Sequence, residues 1–326
     1  MSDAVIDNPI LNTPFREPSR HFRFGEEGIT SEVVEARRVS SYFVPIPASK
    51  KKGQLQLTEW TEDRIEENQF INDVRRKVGM WRGGGWTGVT PTTRRLLEYW
   101  TAEDREKPLF FCQIEALETA IYVTEVANRY GDAWIANRLR EESDRHNPGL
   151  FRLAFKMATG SGKTVVMAML IAWHTLNKRE RPQDGRFSDA FLIVAPGITI
   201  RDRLRVLLPS DPDNYYRQRD LVPANDVVRL GEAKVVITNF HSFLLRETGA
   251  ASKTTKQILT QGGSSPFTES PERMVRRVCR ELGTKRGLVV LNDEAHHCYR
   301  RVPGRWRSLR TLAQPVPEGS DSERVL

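Results

Sequence analysis

The sequence contains few cysteines and no long hydrophobic run. Three cysteines among 326 residues are too few for a disulfide scaffold, so a reducing cytoplasm is the expected location. The longest apolar stretch covers only residues 165–173, whereas a membrane-spanning helix needs ~20 residues. Residues 1–12 lack the basic and apolar segments of a signal peptide. These absences exclude a disulfide-rich secreted protein and predict a protein without a membrane span.

The composition is that of a folded protein. Hydrophobic residues make up 39% of the chain and charged residues 28%, which is enough apolar material for a packed core. The 22 glycines and 18 prolines are close to average usage and exclude a collagen-like or low-complexity chain. At ~150 residues a domain, the length predicts about two domains.

The positive charge is concentrated in one part of the chain. Most of the net charge of +8 lies in residues 271–310, which we call the basic block. A local excess of arginine favours a polyanionic partner such as nucleic acid. A solvated arginine-rich surface would look the same in the sequence, so charge leaves both interpretations open.

The apolar pattern predicts alternating helices and strands after an irregular first ~95 residues. The predicted strands are short, apolar and not alternating, as strands buried on both faces of a parallel sheet are. They cover residues 151–157, 189–195, 234–239 and 287–292. Helices are predicted over residues 60–82, 112–130, 132–145, 163–178 and 199–208. Residues 249–272 are rich in Gly, Ser and Thr and predict a mobile insertion. The alternation indicates an α/β architecture.

The strongest motif is MATGSGKT, residues 157–164, between a predicted strand and a predicted helix. This context is typical of a phosphate-binding P-loop. Gly160 and Gly162 permit backbone angles and a close approach that a Cβ would prevent. Loop amides and the helix N-terminus then face the phosphate oxygens, Lys163 adds a charge and the Thr164 hydroxyl can bind Mg²⁺. The predicted ATP-binding residues of this loop are Thr159, Gly160, Ser161, Gly162, Lys163 and Thr164.

A second motif, VVLNDEAHHC, ends an apolar strand with Asp293 and Glu294. A P-loop NTPase needs an acid at a strand end to hold Mg²⁺ and a group that orients the attacking water. Asp293 suits the first role and Glu294 the second; taken alone, the pair could also be an acidic helix start. A zinc site formed by His296, His297 and Cys298 is disfavoured, because adjacent residues converge poorly on one ion.

With DEAH at residues 293–296 and ATGSGKT upstream, the chain resembles the first motor domain of a superfamily 2 helicase. The segment FKMATGSGKTVVMAMLIAW, with Met157 at the first loop position, is similar to the restriction (Res) subunit of type III restriction enzymes. The resemblance implies a RecA-like P-loop domain with a parallel sheet and helices on both faces, preceded by an N-terminal accessory region. It also implies ATP and Mg²⁺ as cofactors, with Lys163, Asp293 and Glu294 as catalytic residues.

Three further segments carry the resemblance. FFCQIEALETA is similar to the family's Q motif and implies that Gln113 reads the adenine edge, although a surface position at a helix start remains possible. VAPGITIRDRL resembles motif Ia and VITNFHSF resembles motif Ib, whose loops contact the nucleic-acid backbone in the family. The alternative for these loops is ordinary capping. The implied nucleic-acid residues are Pro196, Gly197, Thr199, Arg201, Thr238, Asn239 and His241.

The resemblance also implies parts that this sequence does not contain. A helicase of this kind hydrolyses ATP between two RecA-like domains, and the second supplies an arginine finger. We therefore expect an N-terminal piece of a longer enzyme that acts on double-stranded DNA, with further motor and nuclease domains and a modification (methyltransferase) subunit as partners. The expected domains are residues 1–95, the motor domain 96–313 and a polar tail, 314–326. A truncated, stand-alone nucleotide- or nucleic-acid-binding module without motor activity is the alternative. A P-loop kinase is disfavoured because DEAH is foreign to kinases, and a transporter ATPase because the sequence has no LSGGQ-like signature.

Overall fold

The computed structural model describes residues 9–25, 28–43, 65–146, 148–246, 269–283, 285 and 287–295. The chain divides into two compact units. We call them the N-terminal unit, which ends at Val166, and the sheet unit, which begins at Met167. Within the described ranges, no helix is long and apolar enough to cross a membrane. The domain boundaries expected from the sequence stay predictions.

The N-terminal unit combines two small antiparallel sheets with a group of helices. Strands β1 (His21–Gly25) and β2 (Gly28–Val34) form the first sheet, and β3 (Ser41–Phe43) pairs with β4 (Ile65–Glu67) in the second. The helices are α1 (Gln69–Gly83), α2 (Pro91–Thr101), α3 (Phe111–Ile121) and α4 (Ala133–His146). The helix predicted over residues 112–130 corresponds to α3 and to the π-helix Tyr122–Val126 that continues it, whereas residues 127–130 form a turn.

Side-chain caps set where these helices begin. The Asn68 side chain accepts a hydrogen bond from the Ile71 N–H at 3.4 Å, so α1 starts after Asn68 and not at residue 60 as the pattern predicted. Thr90 caps α2 in the same way through the Thr93 N–H at 3.1 Å. A buried apolar core joins the helices, with Val78, Leu96, Leu97, Leu117 and Ile121 all inaccessible to solvent.

The sheet unit contains a parallel three-stranded sheet. Strand β5 (Ala190–Ala195) lies between β6 (Lys234–Asn239) and β7 (Val289–Asn292). Every residue of β5 is buried, as the non-alternating apolar pattern predicted. The helices of this part of the chain are α5 (Lys163–Glu180), α6 (Ile198–Arg203), α7 (Tyr215–Gln218), α8 (Ala224–Leu230) and α9 (Pro271–Val278). Helix α5 runs across the boundary between the units.

Both faces of β5 are covered, so the predicted α/β architecture is confirmed. On one face Leu192 and Val194 form a cluster with Leu282, which lies in the short 3₁₀ turn Arg280–Leu282 after α9. On the other face the Phe191 ring packs against His174 of α5, with ring centroids 6.2 Å apart. The alternation of side chains along a strand places these two sets on opposite sides of the sheet.

The strand predicted over residues 151–157 is wrong for this structure, in which the segment joins no sheet. The Ser143 hydroxyl accepts a hydrogen bond from the Arg152 N–H at 3.3 Å and donates one to the Arg152 carbonyl at 3.4 Å. The Ser143 side chain of α4 thereby occupies the N–H and the carbonyl of Arg152, which a strand would use for pairing.

A cluster of ion pairs lies at the amino-terminal edge of the sheet. Asp189, just before β5, binds Lys285 at 2.7 Å and Arg179 of α5 at 2.8 Å. Burial raises the pKa of Asp189, but the hydrogen bond and charge of Lys285 and the charge of Arg179 outweigh it, and the net effect is a lowered pKa. The cluster therefore stays ionised and links the start of β5 to the segment that leads into β7. The chemistry expected from the motifs lies at the opposite, carboxyl edge.

Candidate nucleotide and nucleic-acid sites

The loop at residues 157–164 has the backbone geometry that its glycines predicted. Gly160 and Gly162 have φ angles of +79° and +80°, in the left-handed region that favours glycine. Helix α5 begins at Lys163, directly after the second of them. The Ser161 hydroxyl donates to the Ala158 carbonyl at 2.6 Å and closes the loop. The loop thus leads straight into a helix N-terminus, where backbone N–H groups and the helix dipole attract anions.

Gln113 contacts this loop directly. Its Nε2 donates to the Ser161 carbonyl at 2.9 Å, and its Oε1 accepts from the Phe110 N–H at 3.0 Å. Only 5% of Gln113 is exposed, so it is not the surface residue that the sequence left open. These bonds use one of two amide N–H groups and one of two oxygen lone pairs, so the amide keeps capacity for a ligand. That it reads adenine stays a prediction.

The contact between Gln113 and the loop makes Gly162 more sensitive to substitution than Gly160. A Cβ at Gly162 would overlap the Gln113 amide nitrogen, whereas one at Gly160 would meet open space. Both positions carry the left-handed strain of about 1–2 kcal/mol for a residue with a side chain. We expect Gly162→Ala to weaken Mg-ATP binding about tenfold more than Gly160→Ala, because only the former displaces the loop or Gln113.

A titration with a fluorescent ATP analogue checks this difference. Adding Gln113→Ala to Gly162→Ala removes the overlap, so the loss in the double variant should be smaller than the sum of the single losses. Equal losses for the two glycine variants would contradict the contact.

The acidic pair lies at the carboxyl end of β7. The Asp293 N–H donates to the Val194 carbonyl of β5 at 3.0 Å, which extends the strand pairing by one residue. Glu294 has a φ of +52°, a left-handed conformation that is uncommon outside glycine. Such conformations cost free energy and are concentrated at functional sites. The chain therefore turns sharply at the two carboxylates predicted to hold Mg²⁺ and to orient water.

The parallel register brings three predicted motifs to one edge of the sheet. Ala195 pairs with Asn239 and Val194 pairs with Asn292. Motif Ia follows β5, motif Ib covers the end of β6 and the acidic pair follows β7. Ligands of open parallel sheets bind at this carboxyl edge. The loop at residues 157–164, which we call the phosphate loop, belongs to the N-terminal unit, and the acidic pair belongs to the sheet unit. Their approach to each other therefore stays a prediction.

The individual residues of motifs Ia and Ib differ in their availability. Thr199 and His241 are exposed, Pro196 and Gly197 are half-buried, and Thr238 is buried. Arg201 is 41% exposed and pairs with the neighbouring Asp202 at 2.8 Å. The Asn239 side chain accepts from the Ser242 N–H at 3.0 Å, so for this residue the capping alternative describes the structure. Exposed hydroxyl, imidazole and guanidinium groups suit contacts with phosphates.

Arg277, in the basic block, supports the motif Ib turn, which the sequence did not indicate. From α9 it donates to the carbonyls of Ser242 (3.0 Å) and Leu244 (3.3 Å) and binds Glu269 at 2.8 Å. The Arg277 hydrogen bond lowers the pKa of Glu269. Part of the basic block is therefore neutralised within the fold, whereas Arg276 on the same helix is exposed. Arg277 and Glu269 are eight positions apart, and Glu269 lies before the first residue of α9, so the three- and four-residue spacing of a helix does not predict the pair.

The described residues include neither a metal-binding cluster nor the last of the predicted residues. Over the part of the chain that the structure describes, no group of three His, Cys, Asp or Glu side chains could hold a metal ion. His296, His297 and Cys298, most of the insertion predicted at residues 249–272 and the end of the basic block lie outside the described residues.

The phosphate loop, the Gln113 contact and the ordered motifs at the sheet edge agree with one protein family. No curated protein and no solved structure matches the chain significantly. The model of the family "Type III restriction enzyme, res subunit" matches residues 106–316, more than half of the chain. It covers Gln113, the phosphate loop, motifs Ia and Ib and the acidic pair. The chain belongs to the family of type III restriction enzyme Res subunits, with a RecA-like, ATP-dependent helicase-type motor domain.

Proposed function

We propose that the chain is the ATP-binding motor domain of a DNA-dependent ATPase or helicase of the restriction type. The observation that carries the proposal is the phosphate loop, with two left-handed glycines, a helix N-terminus and the buried Gln113 against Ser161. Backbone donors, a lysine and an amide around one loop support the proposal that this loop binds an anion. A titration of the full chain with Mg-ATP tests it, and binding should depend on Lys163.

The residues of the loop and the acidic pair fit Mg-ATP. Bound Mg-ATP supplies the transferable phosphoryl group and a divalent charge that neutralises it. In our proposal the loop amides of residues 159–162 and the N-terminus of α5 hold the phosphate oxygens, and Lys163 adds a positive charge there. The Thr164 hydroxyl and the Asp293 carboxylate are the groups that would bind the metal ion, and Glu294 would orient the attacking water and accept its proton.

The nucleic-acid part of the proposal rests on the carboxyl edge of the sheet. Motif Ia, with Pro196, Gly197, Thr199 and Arg201, and motif Ib, with Thr238, Asn239 and His241, would contact the DNA backbone. Such contacts position the duplex without reading its sequence. Asn239 also shapes the motif Ib turn through its own side chain, and Arg277 would contribute indirectly by supporting the same turn. The exposed arginines of α9 would add long-range attraction.

Two neighbouring arginines of α9 should affect DNA binding differently. Arg276 is exposed, so Arg276→Gln should remove about one phosphate contact and reduce the slope of log affinity against log salt by about one. Arg277 is bound to Glu269, Ser242 and Leu244, so Arg277→Gln should weaken binding through the motif Ib turn and leave the slope unchanged. Binding of a DNA duplex at several salt concentrations measures both. An Arg276→Gln variant with unchanged slope and affinity would exclude α9 from the interface.

The proposal places this domain in a longer enzyme. ATP turnover by the chain alone should then be slow, because the arginine finger comes from a second RecA-like domain. Double-stranded DNA, a nuclease domain and a methyltransferase subunit are the proposed partners. The other candidate, a stand-alone binding module, predicts ATP or DNA binding without DNA-stimulated hydrolysis, even when a second motor domain is supplied in trans. An assay of DNA-stimulated hydrolysis therefore separates the two.

A further inference from the structure

Helix α3, which carries Gln113, is held in place by the first described residues of the chain. We call residues 9–25 and 28–43 the N-terminal arm. The Pro14 carbonyl of the arm accepts the Phe111 N–H at 2.8 Å, at the first residue of α3. The Phe15 ring packs against Phe110, with centroids 5.5 Å apart. The arm thus contacts the two residues that directly precede Cys112 and Gln113.

A paired arginine strengthens this attachment. Arg37 of the arm binds both carboxylate oxygens of Glu115 at 2.6 Å each, and its Nη1 also donates to Glu17 at 2.8 Å. The side chains of Arg37 and Glu115 are only 25% and 15% exposed. The guanidinium also lies over the Phe111 ring, 5.4 Å from its centroid. A two-pronged, partly buried pair of this kind fixes orientation as well as distance.

An arginine of α1 also forms an ion pair with α3 and lies over the Phe111 ring. Arg82 binds Glu118, which is fully buried, at 2.7 Å and lies 4.8 Å from the centroid of the Phe111 ring. Glu17 of the arm accepts from Arg82 at 3.1 Å as well as from Arg37. Glu17 of the arm therefore contacts both Arg37 and Arg82, the two arginines that bind carboxylates of α3.

We infer that the N-terminal arm is part of the nucleotide site, with Arg37 and Glu17 as positioning residues that set Gln113 against the phosphate loop. The inference rests on the proposed function, in which Gln113 reads adenine. It assigns a role to a region for which the sequence indicated none. The contacts run from Arg37 to Glu115 and, on the same helix end, from Gln113 to Ser161.

The path from Arg37 through α3 to the loop is short, so an arginine outside the loop can affect the position of Gln113. Glu115 lies two positions after Gln113 on α3, and the Gln113 amide reaches the loop through one hydrogen bond of 2.9 Å. A shift of ~1 Å in the first turn would break that bond, and misplacements of this size reduce function strongly. Burial lowers the pKa of Arg37, but Glu115 and Glu17 raise it by more. The Arg37 guanidinium therefore stays charged, and its contact with Glu115 does not depend on a change in its protonation.

The test compares ATP and GTP binding to the full chain. We expect Arg37→Gln to weaken Mg-ATP binding by ~3- to 10-fold, a range typical of residues that act through others, and to leave Mg-GTP binding nearly unchanged. The ratio of the two affinities reports adenine recognition, which a general loss of stability would not change selectively. Arg37→Lys should give an intermediate ratio, because lysine lacks the two-pronged geometry. Arg76→Gln is the control, since Arg76 lies outside the arm, its side chain is 66% exposed, and it pairs with Asp73 at 2.7 Å within α1.

Three outcomes decide the inference. A lowered ATP-to-GTP ratio in Arg37→Gln would support it; should that variant unfold, the same lowering in Glu17→Gln, which removes the carboxylate shared by Arg37 and Arg82, would support it instead. A ratio unchanged in Arg37→Gln, with wild-type Mg-ATP binding intact, would overturn the inference and leave the proposed function standing. Absence of Mg-ATP binding by the wild-type chain would overturn both.

Discussion

Replacing Lys163 with alanine is expected to weaken Mg-ATP binding about a hundredfold. The lysine is the first residue of α5, directly after Gly162, where the loop amides and the helix dipole already favour an anion. A charge-assisted hydrogen bond contributes up to about 3 kcal/mol, and each 1.4 kcal/mol changes a dissociation constant tenfold. Alanine is a good helix former, so the variant should keep α5 and lose only the charge. Isothermal titration with Mg-ATP measures the change.

Lys156→Ala provides the matched control, because it removes the same charge from an exposed position just before the loop. It should change the affinity by less than about twofold, since an exposed charge contributes little. An unchanged affinity in Lys163→Ala would contradict the nucleotide site itself. A similar loss in both lysine variants would mean that net charge, and not the position at the helix start, governs binding.

The phosphate loop was predictable because its determinants are local. Gly160 and Gly162 set the left-handed turns, and Lys163 follows in the order that a loop-to-helix transition requires. The roles of the individual residues remain predictions. The contact of Gln113 with Ser161 was not predictable, because it joins two segments almost fifty positions apart. The resemblance named Gln113, but only the fold shows that its amide is bound to the loop.

Strands β5 and β6 were predictable from their short apolar runs. The prediction for β6 coincides with the strand, and that for β5 differs by one residue, because runs of this length that are rich in apolar and β-branched residues favour a strand over a helix. Residues 151–157 also carry such a run, yet the Ser143 hydroxyl engages both backbone groups of Arg152. A β-rich sequence supplies the propensity for a strand, whereas pairing depends on what else contacts its backbone.

The ion pairs that support Gln113 and the motif Ib turn could not be predicted from the sequence. Arg37 and Glu115 are 78 positions apart, and the arginine comes from a region without periodic pattern. Arg277 lies in a block whose charge indicated nucleic acid, yet it binds Glu269 and the carbonyl of Ser242. Composition predicts the number of charges in a region. It does not predict which of them the fold neutralises, because that depends on long-range packing.

His174 should make the sheet unit lose stability in mild acid. Its ring lies beside Trp173, Phe187 and Phe191, and Nδ1 is buried without a hydrogen-bond partner in the described structure. Desolvation by burial lowers the pKa of His174 from 6.5 to about 4. A pKa that is lower in the folded state means that the unfolded chain binds the proton more tightly. Stability is therefore fully present above pH 6.5 and is lost as the pH falls towards 4.

The pKa shift sets the size of this loss. At 1.36 kcal/mol for each pKa unit, the wild-type chain should lose about 2 kcal/mol by pH 5 and about 3 kcal/mol by pH 4 through this residue. His174→Leu removes the titrating group together with a buried polar atom that lacks a partner, so near pH 7.5 it should be neutral or stabilising. Urea unfolding followed by tryptophan fluorescence, at a series of pH values, gives the free energy of unfolding for both proteins.

The difference between wild type and variant isolates His174 from other acid-sensitive groups. Asp189 also has a lowered pKa and destabilises both proteins as the pH falls, so its contribution cancels in the comparison. His241→Leu, at an exposed position after β6, is the control and should follow the wild-type pH profile. If His174→Leu lost stability between pH 6.5 and 4 as steeply as the wild type, the buried imidazole could not be the acid-sensitive element. A shallower profile confined to that variant would assign the proton uptake to His174 of α5.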